Sequence, residues 1–87
     1  MIINMTTQEF DKLGVRAKKM IFSEYLHGSK VNEIVFGSMT NGMWGEYKVR
    51  HETYAYSLIK VRPNEKGLAE LLIYNYRTKQ WQESPAK

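Results

Sequence analysis

Tyr54, Tyr56, Tyr74 and Tyr76 stand at matched offsets in two alternating runs, interleaved with Lys48, Arg50, Lys60 and Arg62. The chemistry of such a set is recognition. Nucleobases stack on tyrosine rings, at about 1–3 kcal/mol per base, while lysine and arginine meet phosphates. With Trp44, the same residue types also make the hot spots of protein interfaces. A third use is internal, as cross-strand aromatic and cation–π pairs that only hold a sheet together.

Residues able to make or break bonds are sparse. His51 and Glu52 adjoin Arg50, a combination that small basic ribonuclease toxins could use. A general base is defined by its geometry, however, and a lone loop histidine reads first as a solvated turn residue. His27 fits a cation at a helix C-terminus. The chain has no cysteine, which removes disulfides, thiolate metal sites and a cysteine nucleophile. The histidines and carboxylates show no metal-ligand spacing. No catalytic residue, metal or cofactor is expected, and the chain is read as a non-enzyme.

The elements that must position the tyrosines follow from the period of the pattern. Thr6-Thr7-Gln8-Glu9 matches a capping box, with Met5 and Phe10 at the positions of a hydrophobic staple. Phe10, Leu13, Ala17, Met20 and Ile21 then recur at helical spacing, and His27-Gly28 offers a stop. The spacing predicts one helix over about residues 7–27. Lys12, Arg16 and Lys19 on its polar side form a secondary basic face, or simply a solvated one. Beyond Lys30 the period changes to two, predicting strands over about 31–39, 43–50, 54–62 and 68–76.

Asn41-Gly42 signals a type I′ hairpin. Pairing around it sets Phe36 against Tyr47, Ile34 against Val49 and Glu33 against Arg50. A second hairpin with Pro63–Gly67 as its loop sets Tyr56 against Tyr74 and Tyr54 against Tyr76. A three-residue link, His51-Glu52-Thr53, joins the hairpins and sets Lys48 against Tyr56. One face then reads Ile34, Phe36, Tyr47, Val49, Ile59, Val61, Leu71 and Ile73, suited to receive the helix. The other carries Trp44, Lys48, Arg50, the four tyrosines, Lys60 and Arg62, with Val35, Met39, Leu58 and Leu72. That is more apolar surface than a solvated sheet face needs, and such patches mark interaction sites.

The expected fold is α+β: one domain, residues 1–87, with an N-terminal helix packed on a four-stranded antiparallel meander. A short fifth strand through Trp81 can follow, and 82–87 is expected to fray as a tail. In outline the element order resembles helix-plus-wrapping-sheet folds such as the cystatin-like class, with no accompanying family motif. Hydrophobic content of 43% and charged content of 25% fit a globular domain, and a net charge of +4 leans mildly toward anionic partners. No signal peptide or apolar membrane span is visible, so a soluble, cytoplasmic protein is expected. The leading functional expectation is non-catalytic nucleic-acid binding by the open sheet face. A protein-binding inhibitor or regulator of a larger complex, of phage or mobile-element type, is the alternative. A homodimer through the same face belongs with it, and a small ribonuclease toxin stands third.

Overall fold

The computed structural model describes residues 1–52 and 55–85. Thr6 caps a helix as its spacing to Glu9 predicts. The Glu9 amide donates to Thr6 Oγ1 at 3.1 Å, and the Thr6 amide donates to Glu9 Oε1 at 2.8 Å. Both halves of the capping box are therefore closed. Thr6, aided by Lys12, holds the Glu9 carboxyl below its usual pKa.

The helix so started is short. α1 (Thr7–Lys12) ends where Leu13 turns to extended backbone, and Gly14 becomes the N-cap of α2 (Val15–Tyr25). The single helix expected over residues 7–27 is thus two. The reason lies in the core. On a straight helix Phe10 and Phe22 would be about 18 Å apart along the axis. Here their rings meet at 5.8 Å and both reach Tyr47, at 6.0 and 5.3 Å. The break falls at the weakest helix former of the run. α2 ends with His27 and Gly28 both at positive φ, and the Gly28 amide donates to Ser23 O at 2.9 Å.

Among the described residues, six strands follow one antiparallel plan: β1 (Ile2–Thr6), β2 (Val31–Thr40), β3 (Trp44–His51), β4 (Ala55–Pro63), β5 (Leu68–Asn75) and β6 (Gln80–Gln82). Their order across the sheet is β1-β5-β4-β3-β2, and β6 also pairs with β5. β1 lies along one half of β5 through Ile2↔Glu70 and Thr6↔Leu68, and β6 along the other through Tyr74↔Trp81. The architecture is α+β with an antiparallel sheet, but with β1 added ahead of the expected meander. Met1, Ile3 and Met5 of this segment pack toward the core while Ile2 and Asn4 are exposed, the period-two signature in a run too short to stand out.

The Asn41-Gly42 turn forms as expected. Both residues take positive φ, 54° and 66°, and the Met43 amide donates to Thr40 O at 2.9 Å. Glu33↔Arg50 and Ile34↔Val49 pair as expected. A register shift then intervenes, so Phe36 stands opposite Lys48 and Gly37 opposite Tyr47. The expected Phe36–Tyr47 pair is corrected, and the cause is steric. A Cβ at position 37 would clash with the Tyr47 ring and lie 2.8 Å from Glu46 O, and Gly37 sits at φ 149°. Only glycine leaves room there for the buried tyrosine. The shift turns Phe36 outward and Met39 inward against the core, where sequence pattern had them reversed.

The other two pairings shift by two residues. Val49 faces Ser57 and Arg50 faces Tyr56, while Arg62 faces Glu70 and Lys60 faces Leu72. At the second hairpin Pro63 joins the strand opposite Ala69, and Asn64 Oδ1 accepts from the Lys66 and Leu68 amides, each at 2.9 Å. A shift of two preserves faces, so the helix side still receives Tyr47, Val49, Ser57, Ile59, Val61, Leu71 and Ile73, all buried. Among the described residues, the hydroxyl of Tyr47 has no hydrogen-bond partner in this core. Burial, reinforced by the Asp11 carboxylate, pushes its phenol up to about 12.

Residue 82 belongs to β6 rather than to a frayed tail. Glu83 O accepts from the Tyr25 hydroxyl at 2.8 Å and from the Met1 amino group at 3.2 Å. Among the described residues, no helix is long and apolar enough to cross a membrane.

Candidate functional site

The uncovered face of the sheet is built by alternate residues of β2 to β5. Phe36, Trp44, Tyr56 and Tyr76 are 58%, 45%, 51% and 62% exposed. Lys48 lies between two of them, with Nζ 6.0 Å from the Phe36 ring centroid and 5.2 Å from that of Tyr56. An aromatic–cation–aromatic row therefore crosses three strands, with its outer members about 10 Å apart at the usual strand spacing. Below it Phe36, Trp44 and Glu46 border a recess of about 400 Å³ whose wall also includes Gly37 and Gly45. The glycines leave that wall bare, because a Cβ on either would point to the helix side, at Gly37 into the Tyr47 ring and at Gly45 to 2.9 Å from Met39 Sδ.

The second aromatic group is more self-contained. Tyr74 meets Tyr76 at 5.0 Å and Trp81 at 5.2 Å, both edge to face, and Lys60 Nζ sits 4.4 Å from the Trp81 centroid. Leu72, expected to be open, is buried at 4% exposure, and Tyr74 is half-buried. The C-terminal strand thus occupies part of the face, and Trp81 joins the site. Its signal in the sequence was the short strand through Trp81, which left its facing undetermined. Phe36 was missed because the pattern alone put it on the helix side. The legible warning was Gly37, since a glycine inside a strand marks bulges and close approaches.

The cations of this face are only partly free. Arg50 Nε is 3.4 Å from Glu33 Oε1, and Arg62 Nε is 3.1 Å from Glu70 Oε1. Glu46 stands opposite Lys60. Tyr54 lies outside the described residues. The expected pairing of Tyr56 with Tyr74 does not form, because β4 and β5 run two residues out of the expected register.

The secondary basic face divides. Arg16 and Lys19 line a recess of about 230 Å³ with Lys30 and Met20, while Lys12 does not. His51 is held on both ring nitrogens, Nδ1 by Ser29 Oγ and Nε2 by Ser57 Oγ, each at 2.9 Å. Glu52 is exposed and offers its backbone carbonyl to Asn32 and Arg50. Among the described residues, no group of three or more histidines or carboxylates is placed to hold a metal ion. Comparison of the chain with protein-family models, curated proteins and solved structures finds no match.

Proposed function

We propose that this protein binds single-stranded nucleic acid, without catalysis, across the open face of its sheet. The observation that carries the reading is the Phe36–Lys48–Tyr56 row: two exposed rings with an ammonium between them. Bases stack on the rings and the intervening phosphate meets Lys48. Trp44 extends the platform beside the glycine-walled recess, and Tyr76, Trp81 and Lys60 continue it toward the sheet edge. Fluorescence anisotropy with a labelled mixed-sequence single-stranded oligonucleotide tests this. Binding should weaken steeply as salt rises, and Phe36→Ala with Tyr56→Ala should remove it while leaving the far-UV circular dichroism unchanged. Salt-independent binding, or binding that survives the double substitution, contradicts it.

The second reading is a protein-binding inhibitor or regulator, which includes self-association of the same face. It draws on the carboxylates Glu33, Glu46 and Glu70 among the face's cations. They temper its attraction for phosphate while suiting a polar protein surface. Light scattering that shows a dimer dissociated by Tyr56→Ala would favour that reading over the first.

A further inference from the structure

At one end of the sheet, the C-terminus of α2, the start of β4 and the β5–β6 turn enclose a cleft of about 560 Å³. This is within the range of small-ligand sites. The charged or chargeable side chains in its wall are His27, His51 and Arg77, with the phenols of Tyr74 and Tyr76. Among the described residues no carboxylate lines it and no ion pair engages Arg77. This differs from the open face, where the two arginines have glutamate partners.

The wall is organised for a ligand with an anionic end and a flat end. Asn75 Oδ1 accepts from the Arg77 and Thr78 amides at 2.9 and 3.2 Å, which fixes the turn that presents Arg77. His51 is fixed by its two serine hydroxyls. Hydroxyls accept as well as donate, so the ring stays held in either protonation state. His27 is exposed at the rim, and Tyr76 offers an exposed ring braced edge-on by Tyr74. Guanidinium and imidazole donors grip a phosphomonoester through charge-assisted hydrogen bonds. A neighbouring aromatic ring takes a nucleobase.

We infer that this cleft binds a nucleotide phosphomonoester, with Arg77 and His27 on the phosphate and Tyr76 on the base. Because Tyr76 borders both the cleft and the open face, the ligand is the phosphorylated end of the strand that lies on the sheet. That step rests on the function proposed above. The same chemistry would also admit a free mononucleotide.

The test compares four probes by anisotropy competition and by NMR. They are a thymidine decamer with a 5′-phosphate, its 5′-hydroxyl twin, thymidine 5′-monophosphate and inorganic phosphate. The phosphorylated decamer should bind about tenfold tighter than its twin, the worth of one charge-assisted contact. Arg77→Ala and Arg77→Gln should erase that gain without changing affinity for the hydroxyl decamer. Lys12→Ala, on the helix side, should leave the gain intact. Equal affinity for the two decamers, or a gain that persists without Arg77, overturns the cleft while leaving the face reading in place. If neither decamer binds but the monophosphate shifts Arg77 and Tyr76 resonances, the face reading falls and the cleft stands as a mononucleotide site. Inorganic phosphate binding as tightly as the monophosphate overturns the nucleotide assignment, and silence from all four probes overturns both.

Discussion

The two faces of this sheet use aromatic residues in opposite ways. On the helix side Phe10, Phe22 and Tyr47 close into a triangle with no solvent exposure beyond 2%. Lys18 lies over its rim, with Nζ 5.7 Å from the Phe10 ring centroid and 5.8 Å from that of Tyr47. On the other side Phe36, Trp44, Tyr56 and Tyr76 remain open, and Lys48 contacts the rings of Phe36 and Tyr56 without covering them. The same strands build both. The difference is that helices cover one face, whereas on the other, among the described residues, only β6 at the sheet edge adds a large side chain, Trp81. An aromatic surface that folding leaves uncovered is available for a partner.

Substitutions of aromatic residues on the two sides should therefore diverge, the largest effect first. Phe22→Ala should destabilise the fold by about 3–5 kcal/mol, as expected for emptying a ring-sized volume in a core. Phe36→Ala should leave the urea midpoint nearly unchanged. Equal losses of stability would break the distinction between the faces. Gly37→Ala, just beyond the bulge that sends Phe36 outward, should cost roughly 1–3 kcal/mol through backbone strain. Its contact with Tyr47 adds to that. If Gly37→Ala is neutral, the account of the bulge is wrong. On the open side, Tyr56→Ala should lower oligonucleotide affinity by about 1–3 kcal/mol, roughly 5- to 150-fold, with Tm unaltered.

The smallest effect concerns the Tyr47 hydroxyl, buried on the closed side with no hydrogen-bond partner among the described residues. Tyr47→Phe removes a buried hydroxyl without a partner and should raise stability by about 1 kcal/mol at neutral pH. It should also change the alkaline limb. Burial pushes the folded phenol above the ordinary tyrosine value of 10.0, to about 12. The unfolded chain therefore loses this proton first, and stability is complete below about pH 10 and falls as pH rises through about 12. The variant should lose part of that fall. Part should remain, because burial and the Glu70 and Glu83 charges also raise the Tyr25 phenol. Urea denaturation at neutral and alkaline pH checks both statements.

Much of this arrangement was legible in local chemistry. The Thr6–Glu9 cap, the Asn41-Gly42 turn and the period-two runs located the main elements. The facing of Lys48, Arg50, Tyr56, Lys60 and Arg62 survived a two-residue slip, because such a slip leaves every side chain on its own face. What sequence pattern could not supply were long-range steric demands. The helix breaks at Gly14 so that Phe10 and Phe22 can share Tyr47, and β2 bulges so that Gly37 can pass the same ring. Both departures answer to one buried tyrosine, and the second moved Phe36 into the candidate site. The end cleft was invisible because Arg77, His27 and Tyr76 converge only after β5 and β6 have paired.

The most direct test of the central claim is an NMR titration of the labelled protein with a single-stranded oligonucleotide, following backbone and aromatic resonances together. The account predicts that Phe36, Trp44, Lys48 and Tyr56 shift first and furthest, while Phe10, Phe22 and the α1–α2 surface stay still. Perturbations centred on Lys12, Arg16 and Lys19, or none at saturating oligonucleotide, would contradict it.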